Sequence, residues 1–104
     1  MTTLKEIIKN NGATLDNNFN MVNFNKGYQV SLQDIEVLPL YKLTKKHLIE
    51  LLQDNKFLGV WIENKKVYID YSKNIKTKKQ ALKIGKELNQ ISIFDWKNKK
   101  VVYC

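Results

Sequence analysis

Arginine is absent from this chain of 104 residues, and cysteine, histidine and proline each occur once. The one cysteine, Cys104, is the last residue, so no disulfide closes within the chain and no metal site built on several cysteines exists. No serine or cysteine stands in a nucleophile-elbow context, and no phosphate-loop pattern is present. The four glycines (Gly12, Gly27, Gly59, Gly85) lie far from one another. His47 falls at the third position of a helix opened by Thr44, at the edge of its polar face. That position favours a solvated histidine over a general base. The longest apolar run, Phe57 to Ile62, is too short to cross a bilayer, and MTTLKEII is too charged for a signal peptide. These absences predict a non-enzymatic cytoplasmic protein with no cofactor, no bound metal and no membrane partner.

What is present is charge of one sign. The net charge is +8, and every basic side chain is lysine. Residues 1–41 carry three lysines against four acids, whereas residues 42–104 carry fifteen against six. Arginine makes the bidentate forks that read guanine, while lysine is a mobile point charge. The excess therefore points to attraction to a polyanion without base reading. An AT-rich genome, favouring lysine and asparagine codons, accounts for the same excess, and the twelve asparagines fit it.

An apolar fraction of 43% and an aromatic fraction of 11% are those of a folding chain. The length allows one domain, residues 1–104. Thr3 and Glu6 have capping-box spacing and open a helix to Asn11, which Gly12 stops. Residues 13–26 read as an asparagine-rich ordered loop with room for a short strand. Tyr28 to Leu32 and Ile35 to Leu38 read as two short strands joined tightly through Gln33-Asp34, the second ended by Pro39. A helix follows from Thr44 to about Asp54. Residues 57–63 and 66–71 form a hairpin turning at Asn64-Lys65. Thr77 opens a third helix to about Asn89, and 91–96 with 100–103 form a last hairpin. Hairpins outnumber crossovers, which predicts an α+β fold. Its sheet is mainly antiparallel, of five to six short strands, with two to three helices packed on one face.

Within the third helix, Lys76, Lys79, Lys83 and Lys86 fall in an arc of about 80° at 100° per residue, with Ala81, Ile84, Gly85 and Leu88 opposite. Such a stripe tracks a phosphate backbone; it is also the solvated face of any amphipathic helix in a lysine-rich protein. Lys65, Lys66, Lys97, Lys99 and Lys100 at the hairpin turns extend the patch if both turns share one end of the sheet. Glu63, Asp70 and Asp95 form a candidate metal cluster if they meet on one face; paired with lysines or facing water, they are ordinary turn acids. Gly59 and Trp61 share a strand face, and packing of Trp61 across the glycine gap into the core is the expected role of both.

The stretch from Gly59 to Val102 also carries a pattern. Gly59-x-Trp61 leads to Tyr68-Ile69-Asp70, a capped helix with Ala81 and Gly85, then Asn89-Gln90 and Ile93-Phe94-Asp95, with Gly27-Tyr28-x-Val30-Ser31 upstream. It resembles small accessory proteins of bacteriophages and other mobile elements. The resemblance implies a protein that binds and inhibits a host defence complex, such as a CRISPR or restriction system, in the cytoplasm of the host. The implied partner is a defence protein or ribonucleoprotein. The lysine excess points instead to a sequence-nonspecific RNA- or DNA-binding module, and the two readings meet where a defence complex exposes RNA or a DNA channel.

Overall fold

The computed structural model describes residues 2–104. The elements run α1 (Leu4–Lys9), β1 (Gly12–Leu15), β2 (Tyr28–Pro39), a 3-10 turn (Leu40–Lys42), α2 (Lys45–Leu51), β3 (Phe57–Glu63), β4 (Lys66–Ile75), α3 (Lys78–Glu87), β5 (Ser92–Asp95) and β6 (Lys100–Tyr103). All the strands pair antiparallel, in the order β1-β3-β4-β2-β5-β6. This is the α+β architecture the hairpin pattern predicts.

Local chemistry sets most of the boundaries. The Thr3 hydroxyl accepts from the Glu6 N–H while the Glu6 carboxylate accepts from the Thr3 N–H, completing the capping box of α1. Thr44 and Thr77 cap α2 and α3 one way only, their hydroxyls accepting from the His47 and Gln80 N–H groups. At the far end of α3, Asn89 takes a left-handed φ of 58°, and the Gln90 N–H returns to the Gly85 carbonyl at 2.8 Å. That is a Schellman stop with asparagine in the glycine position. Asn11, with φ 58°, and not Gly12, turns the chain out of α1. α2 stops at Leu51, three residues early, where the carbonyl of Leu51 accepts the Tyr71 hydroxyl at 2.7 Å. The turn at Asn64-Lys65 has φ of 52° and 61°, the paired positive values of a type I′ hairpin.

One of the expected strand pairs changes. Residues 28–39 are one unbroken strand, not two. Gln33-Asp34 makes no turn, because β2 stays paired with β4 throughout and absorbs its extra residues as register shifts between Ser31 and Gln33 and between Asp34 and Glu36. Within 13–26, the short strand is β1, at the beginning, held by pairing Gly12 to Leu15 against Trp61 to Leu58.

Alternation along the strands decides which face is covered. Leu58, Val60 and Ile62 of β3 stand beside Tyr71, Ile69 and Val67 of β4 on one face. There they bury against Ile7 of α1, Leu48 of α2, Leu15 and Phe19. Tyr28 and Val30 continue that face along β2. With Ile93 of β5 they form a second, smaller core under Ala81 of α3. At Gly85 of α3, an added Cβ would lie 3.3 Å from the Ile93 methyl, so the missing side chain lets α3 settle close on β5. All three helices thus sit on one face of a long curled sheet. Each fully buried aliphatic side chain contributes about 1.5–3 kcal/mol, so the first core carries most of the stability.

The other face has no helix. At its lower end the segment 22–27 crosses towards β2, and Phe24 packs edge-to-face on Phe57 (5.2 Å) and Trp96 (5.6 Å). The Trp96 indole N–H donates to Gln29 Oε1 at 3.0 Å, and Gln29 Nε2 donates to Ser72 Oγ at 2.8 Å. Above that cluster the face is bare.

Candidate functional site

The lysines separate by topology. Ile75, Tyr28 and Asp95 form one row across β4, β2 and β5. Lys76, Gly27 and Trp96 come next beyond that row, tied by the Trp96 N–H to the Gly27 carbonyl at 3.1 Å. Lys26, Lys76, Lys97 and Lys99 therefore gather at this lower end. α3 rises from it with Lys79, Lys83 and Lys86 exposed and Ala81 and Gly85 buried. Residues 76–104 hold eight lysines and two acids, a net +6. The amino group of Lys99 lies 5.7 Å from the centroid of the Trp96 ring and donates to Asn23 Oδ1 at 3.4 Å. Beside it, Phe24, Lys26, Asn74 and Lys76 border an open cleft of about 400 Å³.

Lys65 and Lys66 do not join this end. Lys66 pairs with Pro39 at the last position of β2, while Ile75 pairs with Tyr28 at the first. Ten residues of β4 separate the two rows, about 30 Å at roughly 3.3 Å per residue. The two turns lie at opposite ends of the sheet, so the predicted patch divides into Lys76, Lys79, Lys83, Lys86, Lys97, Lys99 and Lys100, the last paired with Asp95, at one end and Lys65 with Lys66 at the other.

The strand acids also divide. Glu63 and Asp70 are on the open face, whereas Asp95 shares the helix-covered side with Tyr28. Asp95 is a turn-former. Its carboxylate accepts from Asn98 Nδ2 at 2.8 Å and from the Asn98 N–H at 3.3 Å. The Asn98 side chain chiefly holds the acid below its ordinary range, against its burial, with backbone N–H groups and the Lys100 charge helping. No three His, Cys, Asp or Glu side chains among the described residues gather closely enough to hold a metal ion. His47 is half-buried, not solvated, and its Nε2 pairs with the Glu36 carboxylate, joining α2 to β2.

The bare upper part of the open face holds residues whose exposure the sequence does not reveal. Trp61, Tyr68 and Val37 are direct cross-strand partners on β3, β4 and β2, and they are 60%, 41% and 59% exposed. Trp61 is thus a surface residue, not a core one. The gap over Gly59 is filled instead by the Asp70 carboxylate, which a Cβ at Gly59 would strike. Asp70 in turn faces Asp34 across the β4–β2 pair. Like charges placed directly opposite destabilise a sheet. Ser31 lies with them, its single hydroxyl shared between the two acids: it donates to Asp34 Oδ1 at 3.5 Å and also reaches Asp70.

Burial raises the Asp70 carboxyl above its ordinary value of 3.8, with the Asp34 charge adding to the rise and the Ser31 hydrogen bond opposing it. The folded chain therefore holds this proton more tightly than the unfolded chain. Stability falls as pH climbs from 3.8 through the raised value, and the cost is fully present above it. Asp70→Asn should accordingly be more stable than the natural chain at pH 7, the difference closing below pH 3.8. Urea unfolding at several pH values measures it; equal stability at pH 7 would contradict the assignment.

No helix of the described residues is long and apolar enough to cross a membrane. No family model, curated protein or solved structure matches the chain, which leaves its two unlike surfaces, the lysine end and the bare sheet face, as what bears on function.

Proposed function

We propose that this chain is a non-enzymatic docking protein that engages a nucleic-acid-bearing host defence complex through its lysine end, in the cytoplasm of the host. One observation carries the reading. The fold brings α3 and the β5–β6 turn together, so that seven of the nine lysines singled out in the sequence share one end with Trp96 and Phe24. Cations attract the phosphates of a strand, and partly exposed aromatic side chains give its bases something to stack on. Lysine without arginine supports affinity for the backbone and little base discrimination. The resemblance in pattern to small phage-borne proteins supports a defence complex as the source of that nucleic acid.

A second reading, a nonspecific RNA- or DNA-binding module, rests on the same lysine end. Fluorescence anisotropy separates the two. The labelled protein is titrated with free single-stranded RNA, with duplex DNA, and with a guide-loaded CRISPR effector as a representative ribonucleoprotein. Tight binding to the loaded effector with weak binding to free strands supports the inhibitor. Equal binding to all of them assigns the module. Failure to bind any of them at low salt removes both.

A further inference from the structure

The upper open face is the other surface on which this chain is chemically unlike its surroundings. Trp61, Tyr68 and Val37 place an apolar row in solvent, across three strands that are otherwise well paired. Exposed apolar residues scattered singly need no explanation, but a contiguous row with aromatic members marks a contact surface. Below the row stand Asp34 and Asp70, two acids without a counter-ion: among the described residues no lysine lies within ion-pair distance of either. In a chain of net charge +8 that local sign is reversed.

Between row and acids, the β2 bulge opens a hollow of about 270 Å³ lined by Asp34, Ile35, Val37, Tyr68 and Asp70. Small-molecule pockets run from roughly 300 to 1,000 Å³ and are enclosed, so this open hollow suits one inserted side chain. A long cationic side chain meets all three features. Its stem lies on Tyr68, its charge satisfies the acid pair, and a guanidinium or ammonium is attracted to the aromatic faces.

We propose that the face formed by Trp61, Tyr68 and Val37 with Asp34 and Asp70 docks a basic segment of a partner protein. An apolar anchor of that segment sits on the Trp61–Tyr68–Val37 row, and an arginine or lysine reaches the acid pair. Tyr68 and Asp70 are two residues apart on one strand face, so anchor and cation stand about 7 Å apart. That is the spacing of alternate residues in an extended segment. Asp70, held over Gly59, meets its cation already in place. The lysine end lies at the other end of the sheet, and this docking does not depend on it.

The test follows the two indole N–H signals, of Trp61 and Trp96, in nitrogen-15-labelled protein. The probes are synthetic peptides of about ten residues: leucine alternating with arginine, the same with glutamate for arginine, and the same with serine for leucine. The expected result is that the leucine–arginine peptide moves the Trp61 signal and leaves Trp96 in place, while the other two move neither. Asp34→Asn with Asp70→Asn, read on the Trp61 indole, and separately Trp61→Ala, read on the backbone amides of its row partners Tyr68 and Val37, should each weaken that binding about tenfold. The acid variants relieve repulsion, so they fold even if the tryptophan variant does not.

The proposal is overturned if the Trp61 signal stays still at about 1 mM peptide, if the glutamate peptide binds equally, or if the acid variants bind as well as the natural chain. A dimer in sedimentation that Trp61→Ala dissociates would give the face to a second copy, and movement of the Trp61 signal by RNA would give it to nucleic acid. Either outcome also overturns the proposal.

Discussion

Lys79→Glu, Lys83→Glu and Lys86→Glu together should remove most of the affinity for nucleic acid and flatten its dependence on salt. If six of the lysines at the lower end, those of α3 included, each neutralise one phosphate of a duplex, log K falls with log salt with a slope of about −5, near −0.9 per phosphate. Affinity then drops roughly a thousandfold between 50 and 200 mM salt. Removing three contacts reduces the slope by about 3 units, and the three new negative charges add repulsion. The three side chains are exposed on α3, so each change moves stability by about 0.5 kcal/mol or less. Lys86 costs a little more, because it stands in the last turn of the helix, where a cation suits the dipole. Lys65→Glu with Lys66→Glu is the matched control at the opposite end of the sheet. It should leave affinity within about twofold at moderate salt, where charges about 30 Å away are screened. Anisotropy with a labelled duplex at four salt concentrations reads both. Equal losses from the two sets would mean that overall charge, and not the lysine end, sets the affinity.

The control is informative because topology, and not sequence, separates the two lysine groups. Capping threonines, the Asn64-Lys65 turn and the apolar face of α3 are legible in the chain, since each depends on neighbours within four residues. Which end of the sheet a turn occupies depends on strand order, and that is settled only when β2 runs between β4 and β5. The same holds for β1. Gly12-Ala13-Thr14-Leu15 has little strand character, and it becomes a strand because β3 offers an unpaired edge.

Gln33-Asp34 reads as a turn because polar residues interrupt an apolar alternation, yet a bulge interrupts it equally well. Trp61 is ambiguous for a different reason. Both faces of β3 are apolar, Phe57 and Trp61 on one and Leu58, Val60 and Ile62 on the other, so alternation alone does not say which face the helices cover. The Asp34–Asp70 pair is still further from view, since its register is fixed by the bulges of β2. The lysine end was therefore half-readable, and the acid-flanked row was not readable at all.

Phe19→Ala should lower stability more than any surface change, although Phe19 lies in a loop. The loop is built to aim it inward. The Asp16 carboxylate accepts the N–H groups of Asn18 (3.0 Å) and Asn20 (2.9 Å), the Phe19 N–H donates to the Asp16 carbonyl at 3.1 Å, and the Phe19 carbonyl accepts from Thr2 at 3.2 Å. The ring is 1% exposed, packed in the first core, with the Lys45 amino group 5.3 Å from its centroid. Truncation to alanine leaves a cavity costing about 3–5 kcal/mol, a large part of the roughly 5–15 kcal/mol that holds a domain folded. The melting midpoint should fall by about 15–25 °C, at roughly 5 °C per kcal/mol for a chain of this length.

A second variant sharpens this. Phe19 has φ of 60°, which costs an alanine about 1–2 kcal/mol and a glycine nothing. Glycine is also looser when unfolded, by about 0.5–1 kcal/mol. Phe19→Gly should therefore be slightly more stable than Phe19→Ala, the reverse of the usual order. Calorimetry on both variants checks the pair. If both melt within a few degrees of the natural chain, the loop is not part of the core. Binding gives an independent reading, because the lysine end rests on the second core under α3. Below their lowered midpoints both variants should bind the labelled duplex as the natural chain does, which separates the element that holds the fold from the one that meets the partner.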